Sequence, residues 1–213
     1  MRKVHSIEPF PTDIDRNYFG AWLSGFTDGE GCFAMKEYAR PPTYVFVANI
    51  YFEITLRSDE ISVIRLIRSF FDCGRIYTDN SAQRRNENAK PTISFRMNKS
   101  NDLVTKLIPH FERYPLLAKK KRDFLIWKEG VILRHEIMGR PRKARIGRFN
   151  GGVSQWEPDE KARFTLIVNT LLEQRKFNSE NIELPPFRTL DKTPLFSQVE
   201  VNGTLADEEP PVA

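Results

Sequence analysis

The stretch from Tyr18 to Phe33 reads YFGAWLSGFTDGEGCF, and the fold turns on how it is understood. Phe19, Trp22, Leu23 and Phe26 recur at helical spacing. Asp13 and Asp15 just upstream are candidate caps, so a first helix is predicted from about Arg16 to Gly29. Ala21, Gly25 and Gly29 recur every four residues and make a row of small side chains, with Gly20 and Ser24 beside it. Glycine inside a helix costs roughly 1 kcal/mol relative to alanine. Such a row therefore points to the close approach of another backbone, although an ordinary core helix ending in glycine also fits the spacing. Asp28 and Glu30 stand where the helix ends, against the partial negative charge of its unpaired carbonyls. Each acid costs roughly 0.3–1 kcal/mol there unless positive charge compensates. A divalent cation would compensate, because carboxylates and orphan carbonyls are both hard oxygen ligands.

Outward from this helix, Cys32 to Tyr38 and Val45 to Arg57 read as strands separated by the turn-forming ARPPT. Ser58 is a predicted cap for a helix with Asp59 and Glu60 in its first turn and Ile61, Ile64, Ile67, Phe70 and Phe71 on its apolar face, stopping near Cys73-Gly74. A second strand pair follows, Arg75 to Thr78 and Thr92 to Asn98, around the polar tip SAQRRNENAK. Another helix begins near Ser100 and breaks at Tyr114-Pro115. Strand, strand, helix thus occurs twice. KKKRDFLIWKEGVILRHEI carries Phe124, Trp127 and Val131 along one side of a further helix, and residues 158–176 resume a helical pattern through Phe164, Ile167, Val168 and Leu171.

The chain has 213 residues, 40% of them hydrophobic and 12% aromatic, enough for a packed core. No apolar run approaches the roughly 20 residues that span a bilayer, and no apolar run follows the basic residues of MRKVHSIEPFP, so a soluble, intracellular protein without a secretory signal or membrane partner is expected. The net charge of +5 hides an asymmetry: residues 180–213 hold seven acids and two bases, a net of −5, which leaves +10 on residues 1–179. A basic globular body favours a polyanionic partner. The two cysteines and three histidines lack zinc-site spacing. Cys32 and Cys73 are read as small buried residues and His135 as a surface helix residue.

LSGFTDGEG, Leu23 to Gly31, resembles the motif of the LAGLIDADG homing endonucleases. Phe52 to Ile76 and Tyr114 to Lys128 resemble that family's second strand with its following helix and its lysine-bearing segment, in family order. The resemblance covers about residues 16–135. It implies an α+β fold of the αββαββα type with an antiparallel DNA-binding sheet, here followed by a C-terminal helical extension. The expected organisation is an N-terminal arm (1–15), the endonuclease core (16–138), a basic linker (139–155), a C-terminal helix (156–178) and a poorly ordered, acidic, Pro-rich tail (179–213). The resemblance also implies a metal-dependent endodeoxyribonuclease. Glu30 would bind the catalytic Mg2+ beside the carbonyl of Gly29, with Asp28 ranked second. Mn2+ is expected to substitute, and Ca2+ to support binding without cleavage. Lys119 or Lys120 would serve as the basic residue near the scissile phosphate, although a KKK run alone is more simply a solvated helix start. Leu56 stands where many relatives carry a water-holding glutamine; Arg57 is a substitute, or merely a partner of Asp59.

A single motif implies two copies, so a homodimer is expected to pack Ala21, Ser24 and Gly25 across its axis over double-stranded DNA with a long pseudo-palindromic site. Strand alternation aims side chains at base edges, which nominates Lys36, Tyr38, Asn49, Tyr51, Glu53, Arg75, Tyr77, Thr92, Ser94 and Arg96. Arg84 and Arg85 at the hairpin tip are candidates for phosphates, as are linker bases Arg140, Arg142, Lys143, Arg145 and Arg148. A same-fold nucleic-acid-binding protein without cleavage, either an intron RNA maturase or a DNA-binding regulator, is the alternative.

Overall fold

Gly31 takes the chain from helix to strand with no linker between them. In the computed structural model, which describes residues 7–41, 45–81, 90–141 and 155–176, helix α1 (Arg16–Glu30) runs directly into strand β1 (Gly31–Arg40). A side chain at Gly31 would put its Cβ 2.8 Å from the Thr27 carbonyl oxygen, so only glycine fits this corner. Asp15 caps the other end of α1, its carboxylate accepting the Tyr18 N–H at 2.7 Å.

Strand β2 (Val45–Arg57) folds back antiparallel on β1, from Arg40 opposite Val45 to Gly31 opposite Ile54. A 3-10 turn, Ser58–Glu60, then leads into α2 (Ile61–Phe71). The expected Ser58 cap is not formed: no side chain caps either element, and the Ser58 N–H instead donates to the Pro91 carbonyl at 2.9 Å. Left-handed Asp72 and Gly74, with φ of 48° and 83°, end the helix and open β3 (Arg75–Asp79). Strand β4 (Thr92–Met97) pairs with both β3 and β2, giving one antiparallel sheet in the order β1-β2-β4-β3. The next helical run, α3, comprises Ser100–Asp102, a wide π turn over Leu103–Leu107 and Ile108–Arg113. Pro109, whose ring cannot sit against the carbonyl four residues back, follows directly on that wide turn. Helix α4 (Lys120–Gly139) and helix α5 (Pro158–Arg175) complete the described fold. All described residues belong to one compact unit, Met1–Lys176.

Period-2 alternation gives the sheet two unlike faces. Phe33, Met35, Ile50, Phe52, Ile54, Ile93, Phe95 and Met97 point inward and are buried with Leu23, Ile64, Ile67, Leu107, Phe111, Phe124 and Trp127 of the helices. Each such side chain contributes roughly 1.5–3 kcal/mol by leaving water. The Trp127 indole also donates to the Ala34 carbonyl at 3.1 Å, tying α4 to β1. Helix α5, started by a reciprocal Glu157–Glu160 capping box, packs on α4 and β1. Its Arg175 donates to the Phe33 carbonyl at 2.6 Å and the Asp123 carboxylate at 2.7 Å, and its Thr165 hydroxyl to Glu37 at 2.7 Å. The edge strand β1 is thereby shielded.

His110 of α3 lies in an aromatic cage of Phe70, Phe71, Phe111 and Tyr114, with ring centroids 4.8–5.5 Å away. Ser24 spends its proton on the Tyr114 carbonyl at 2.7 Å, so the His110 Nε2–H donates to the Ser24 oxygen at 3.4 Å. Burial lowers the His110 pKa from 6.5 to about 4. Between those values the unfolded chain binds the proton and the folded one does not, so stability present above pH 6.5 is lost as pH falls towards 4, by roughly 2–4 kcal/mol. Chemical denaturation across that range is expected to show the loss, and His110→Phe to flatten it; an unchanged slope in the variant would refute the assignment.

Candidate active site at the end of helix α1

The acids that close α1 are compensated from within the chain. Asp28 Oδ2 accepts the backbone N–H groups of Leu117 at 2.8 Å and Ala118 at 3.1 Å, just ahead of α4. From the first turn of α4, the Lys120 ammonium donates to the carbonyl oxygens of Asp28 and Gly29, each at 2.8 Å. A cation on the last carbonyls of a helix is favourably placed with respect to its dipole. The compensation expected from a divalent cation is therefore already supplied by Lys120, 92 residues beyond Asp28 in sequence and invisible to any local pattern. Lys119, one position earlier, is exposed at the start of α4, and Lys120 is the lysine whose ammonium reaches the end of α1.

Asp28 and Glu30 are thus unlike. Asp28 Oδ2 is engaged by two amides and Oδ1 is shut away from solvent without a hydrogen bond among the described residues, so Asp28 braces the α1–α4 junction. Glu30 is exposed, and its carboxylate has no hydrogen bond or ion pair among the described residues. It immediately precedes the strand whose Cys32 lies opposite Glu53. Among the described residues no three His, Cys, Asp or Glu side chains cluster closely enough to hold a metal ion by themselves.

The row on α1 divides in two. Ala21 and Gly25 are exposed, and neither Gly25 nor Gly29 has an atom within 4 Å of where a Cβ would stand. Tyr18 and Trp22 on the same helix are 72% and 37% exposed. Ser24, expected at a dimer contact, is instead buried on the inner side against Tyr114 and His110. Gly20 is buried too, with the Tyr114 ring 2.6 Å from its notional Cβ, so it serves packing within the chain.

The outer face of the sheet collects the nominated strand residues. Register places Lys36 opposite Asn49, Ala34 opposite Tyr51, Glu53 opposite Arg96, Arg96 opposite Arg75, and Ser94 opposite both Thr55 and Tyr77. Lys36, Tyr38, Arg75 and Tyr77 are exposed; Asn49, Tyr51, Glu53, Thr92 and Arg96 are half-buried. Ser94 is buried, its hydroxyl 2.8 Å from that of Thr55. Arg84, Arg85, Arg142, Lys143, Arg145 and Arg148 lie outside the described residues. Arg140 is paired with Glu160 at 2.6 Å, which takes it out of the set of uncommitted linker bases. Arg57 grips Asp59 at 2.5–2.6 Å, and Leu56 packs on the core, so neither presents a polar group to a water on the outer face. Cys32 is exposed, not buried, because it falls on the outer parity of β1; Cys73 is buried, its thiol pushed up to about 11 by desolvation. His135 is half-buried, with its Nδ1 3.3 Å from the Ser100 hydroxyl, so it joins α4 to α3. A cleft of about 560 Å3 opens away from this site, among Arg16, Asn17, Asp72, Lys106, Arg113 and their neighbours.

Single-residue reasoning missed the backbone amides of Leu117 and Ala118, since no side chain marks them. Comparison with known proteins agrees with the geometry. The sequence profile described as LAGLIDADG endonuclease matches residues 23–131. A probable intron-encoded endonuclease 2 of Neurospora crassa is 30% identical over 115 residues, which are 53% of this chain and 24% of that protein. A probable intron-encoded endonuclease aI3 of Dictyostelium citrinum is 32% identical over 122 residues, 57% of this chain and 42% of that one. The chain thus spans less than half the length of these curated relatives. Among solved structures, the homing endonuclease I-SmaMI bound to cleaved DNA superposes with a TM-score of 0.56 at 18% identity, over 74% of this chain and 45% of that one. The homing endonuclease I-TnaI does so with 0.54 at 22% identity, over 79% and 93%. A profile match over just over half of the chain, on a helix-into-strand corner that ends in an open carboxylate, makes this protein a member of the LAGLIDADG endonuclease family.

Proposed function

We propose that the chain is a site-specific homing endonuclease that makes metal-dependent double-strand breaks in a long pseudo-palindromic DNA target and acts as a homodimer inside the cell. The observation that carries this reading is Glu30: an exposed carboxylate at the end of a helix, without a partner among the described residues, directly after the Asp28 and Gly29 carbonyls that hold the Lys120 ammonium. The donor set suits a hard cation such as Mg2+, since the Glu30 carboxylate offers oxygen and the Gly29 carbonyl, which accepts from Lys120 at 2.8 Å, keeps a second lone pair. Among the described residues too few donors cluster to hold a metal by themselves, so water, DNA phosphate and a second copy would complete its shell. Once bound, the metal supplies charge neutralisation at the phosphate and an activated water. Lys120 has three N–H donors and uses two on the helix end, leaving the third for a non-bridging phosphate oxygen. Glu30 would hold the cation at the edge of the outer face, where Lys36, Asn49, Arg75 and Tyr77 would meet the major groove.

The homodimer reading rests on the open part of α1. Nothing in the chain fills the space beside Gly25, and Tyr18, Trp22 and Ala21 surround it unburied. Two copies of α1 crossing there would bring two Glu30 carboxylates together over one duplex. The homing endonuclease I-SmaMI bound to an uncleaved DNA target in the presence of calcium ions supports Ca2+ as a binding-only substitute; Mn2+ is expected to replace Mg2+ as an active one.

Incubation with candidate intron-junction DNA is expected to give double-strand cuts with Mg2+ and binding without cutting in Ca2+. Glu30→Gln is expected to bind but lose at least ~100-fold in cleavage, more than an outer-shell partner is worth. Full activity in Glu30→Gln would refute the site, and binding without cleavage under every metal would favour the maturase or regulator reading. Separately, Gly25→Trp is expected to convert a dimer to a monomer in sedimentation while leaving the fold intact; a wild-type monomer on DNA would contradict the two-copy arrangement.

A further inference from the structure

One cluster on the outer face is organised more tightly than its surroundings. Arg96 Nε and Nη2 both donate to a single oxygen of Glu53, at 3.0 and 2.7 Å. The guanidinium carbon lies 4.5 Å from the Tyr51 ring centre and 5.1 Å from that of Tyr77. The register produces this arrangement: Glu53 faces Arg96 across the β2–β4 ladder, while Tyr51 and Tyr77 approach from the flanking positions of β2 and β3. The Arg96 side chain remains 35% exposed and that of Glu53 16%.

A guanidinium carries five N–H groups in one plane. Glu53 occupies the edge formed by Nε and Nη2. The end of the fork, with both N–H groups of Nη1 and the second of Nη2, is left without a hydrogen bond in the described structure. That free pair is parallel and spaced for the O6 and N7 acceptors of guanine, the commonest specific contact in a major groove. The two tyrosines and the carboxylate fix the plane of the fork in advance, so little side-chain freedom is lost on docking. The pairing also has an electrostatic consequence. With Glu53 beside it, Arg96 is a poor general clamp for phosphate, whereas Arg75 in the same row is exposed and forms no ion pair among the described residues.

We propose that Arg96, held by Glu53 between Tyr51 and Tyr77, reads one guanine in each half of the DNA target, while Arg75 beside it contacts phosphate. The proposal rests on the reading that the sheet docks in a major groove, and it names the base to which one side chain is matched.

The test is selection of duplexes from a randomised double-stranded pool by the full chain in Ca2+, comparing wild type with Arg96→Ala, Arg96→Gln and Arg75→Ala. A guanine is expected at one position of each half-site, with its preference reduced roughly 10–100-fold in Arg96→Ala and other positions unchanged. Arg96→Gln is expected to shift that position from guanine to adenine, a gain that misfolding cannot imitate. Arg75→Ala is expected to weaken binding evenly and to lower the salt dependence of affinity. Unchanged guanine preference in both Arg96 variants, or a loss spread evenly over all positions, would overturn the assignment. Failure of the wild type to select any sequence would overturn the docking reading, and this inference with it.

Discussion

Two backbone amides on one carboxylate and two backbone carbonyls on one ammonium hold the end of α1 against the start of α4. Each half repairs a defect of the other element. The Asp28 carboxylate, unfavourable at its own helix C-terminus, satisfies the amides that precede α4; Lys120 neutralises the carbonyls that α1 leaves orphaned. With Gly31 fixing the corner immediately after, the chain has little choice about where Glu30 points. It is left exposed and uncommitted at the head of the sheet. The direction of Glu30 therefore depends on a junction between segments far apart in sequence.

The sheet serves two purposes because its faces alternate. Its inner side is apolar and covered by α1, α2, α3 and α4. On its outer side Arg96 is matched by Glu53 and stacked on two tyrosines, while Lys36 and Arg75 stay exposed. Helix α5, largely beyond the part of the chain that the family shares, adds Arg175 and Thr165 to the exposed edge of β1. It protects the strand that follows directly from the Gly31 corner. A rigid β1 is what allows a carboxylate one residue away to be held in a fixed direction.

Periodicity made the elements legible. The bounds of α1, β2 and α5 stand within a residue or two of those expected, and in β4 the residues between the nominated Thr92, Ser94 and Arg96, together with Met97, are buried in the core. Features that depend on contacts distant in sequence were not legible. The local pattern around Asp28 signals a missing positive charge but cannot say that Lys120 supplies it. Ser24 looked like part of the small-residue row, yet a helix turns 100° per residue, and the partners that pull Ser24 inward sit on α3 and in the segment after it. Ser58 had the residue type of a cap, yet it lies inside the 3-10 turn Ser58–Glu60 that precedes the helix and caps neither element. Glu53 and Arg96 were nominated singly; their pairing required the register.

Hydrogen exchange at the Leu117 and Ala118 amides tests the central junction most directly. Leu117 is 68% exposed and both residues lie outside any helix or strand, so without Asp28 these amides would exchange as in an open loop. Clear protection in the wild-type chain, lost in Asp28→Ala while the β2 and β4 amides stay protected, is the expected result. Equal, unprotected exchange at both amides in the wild type would contradict it.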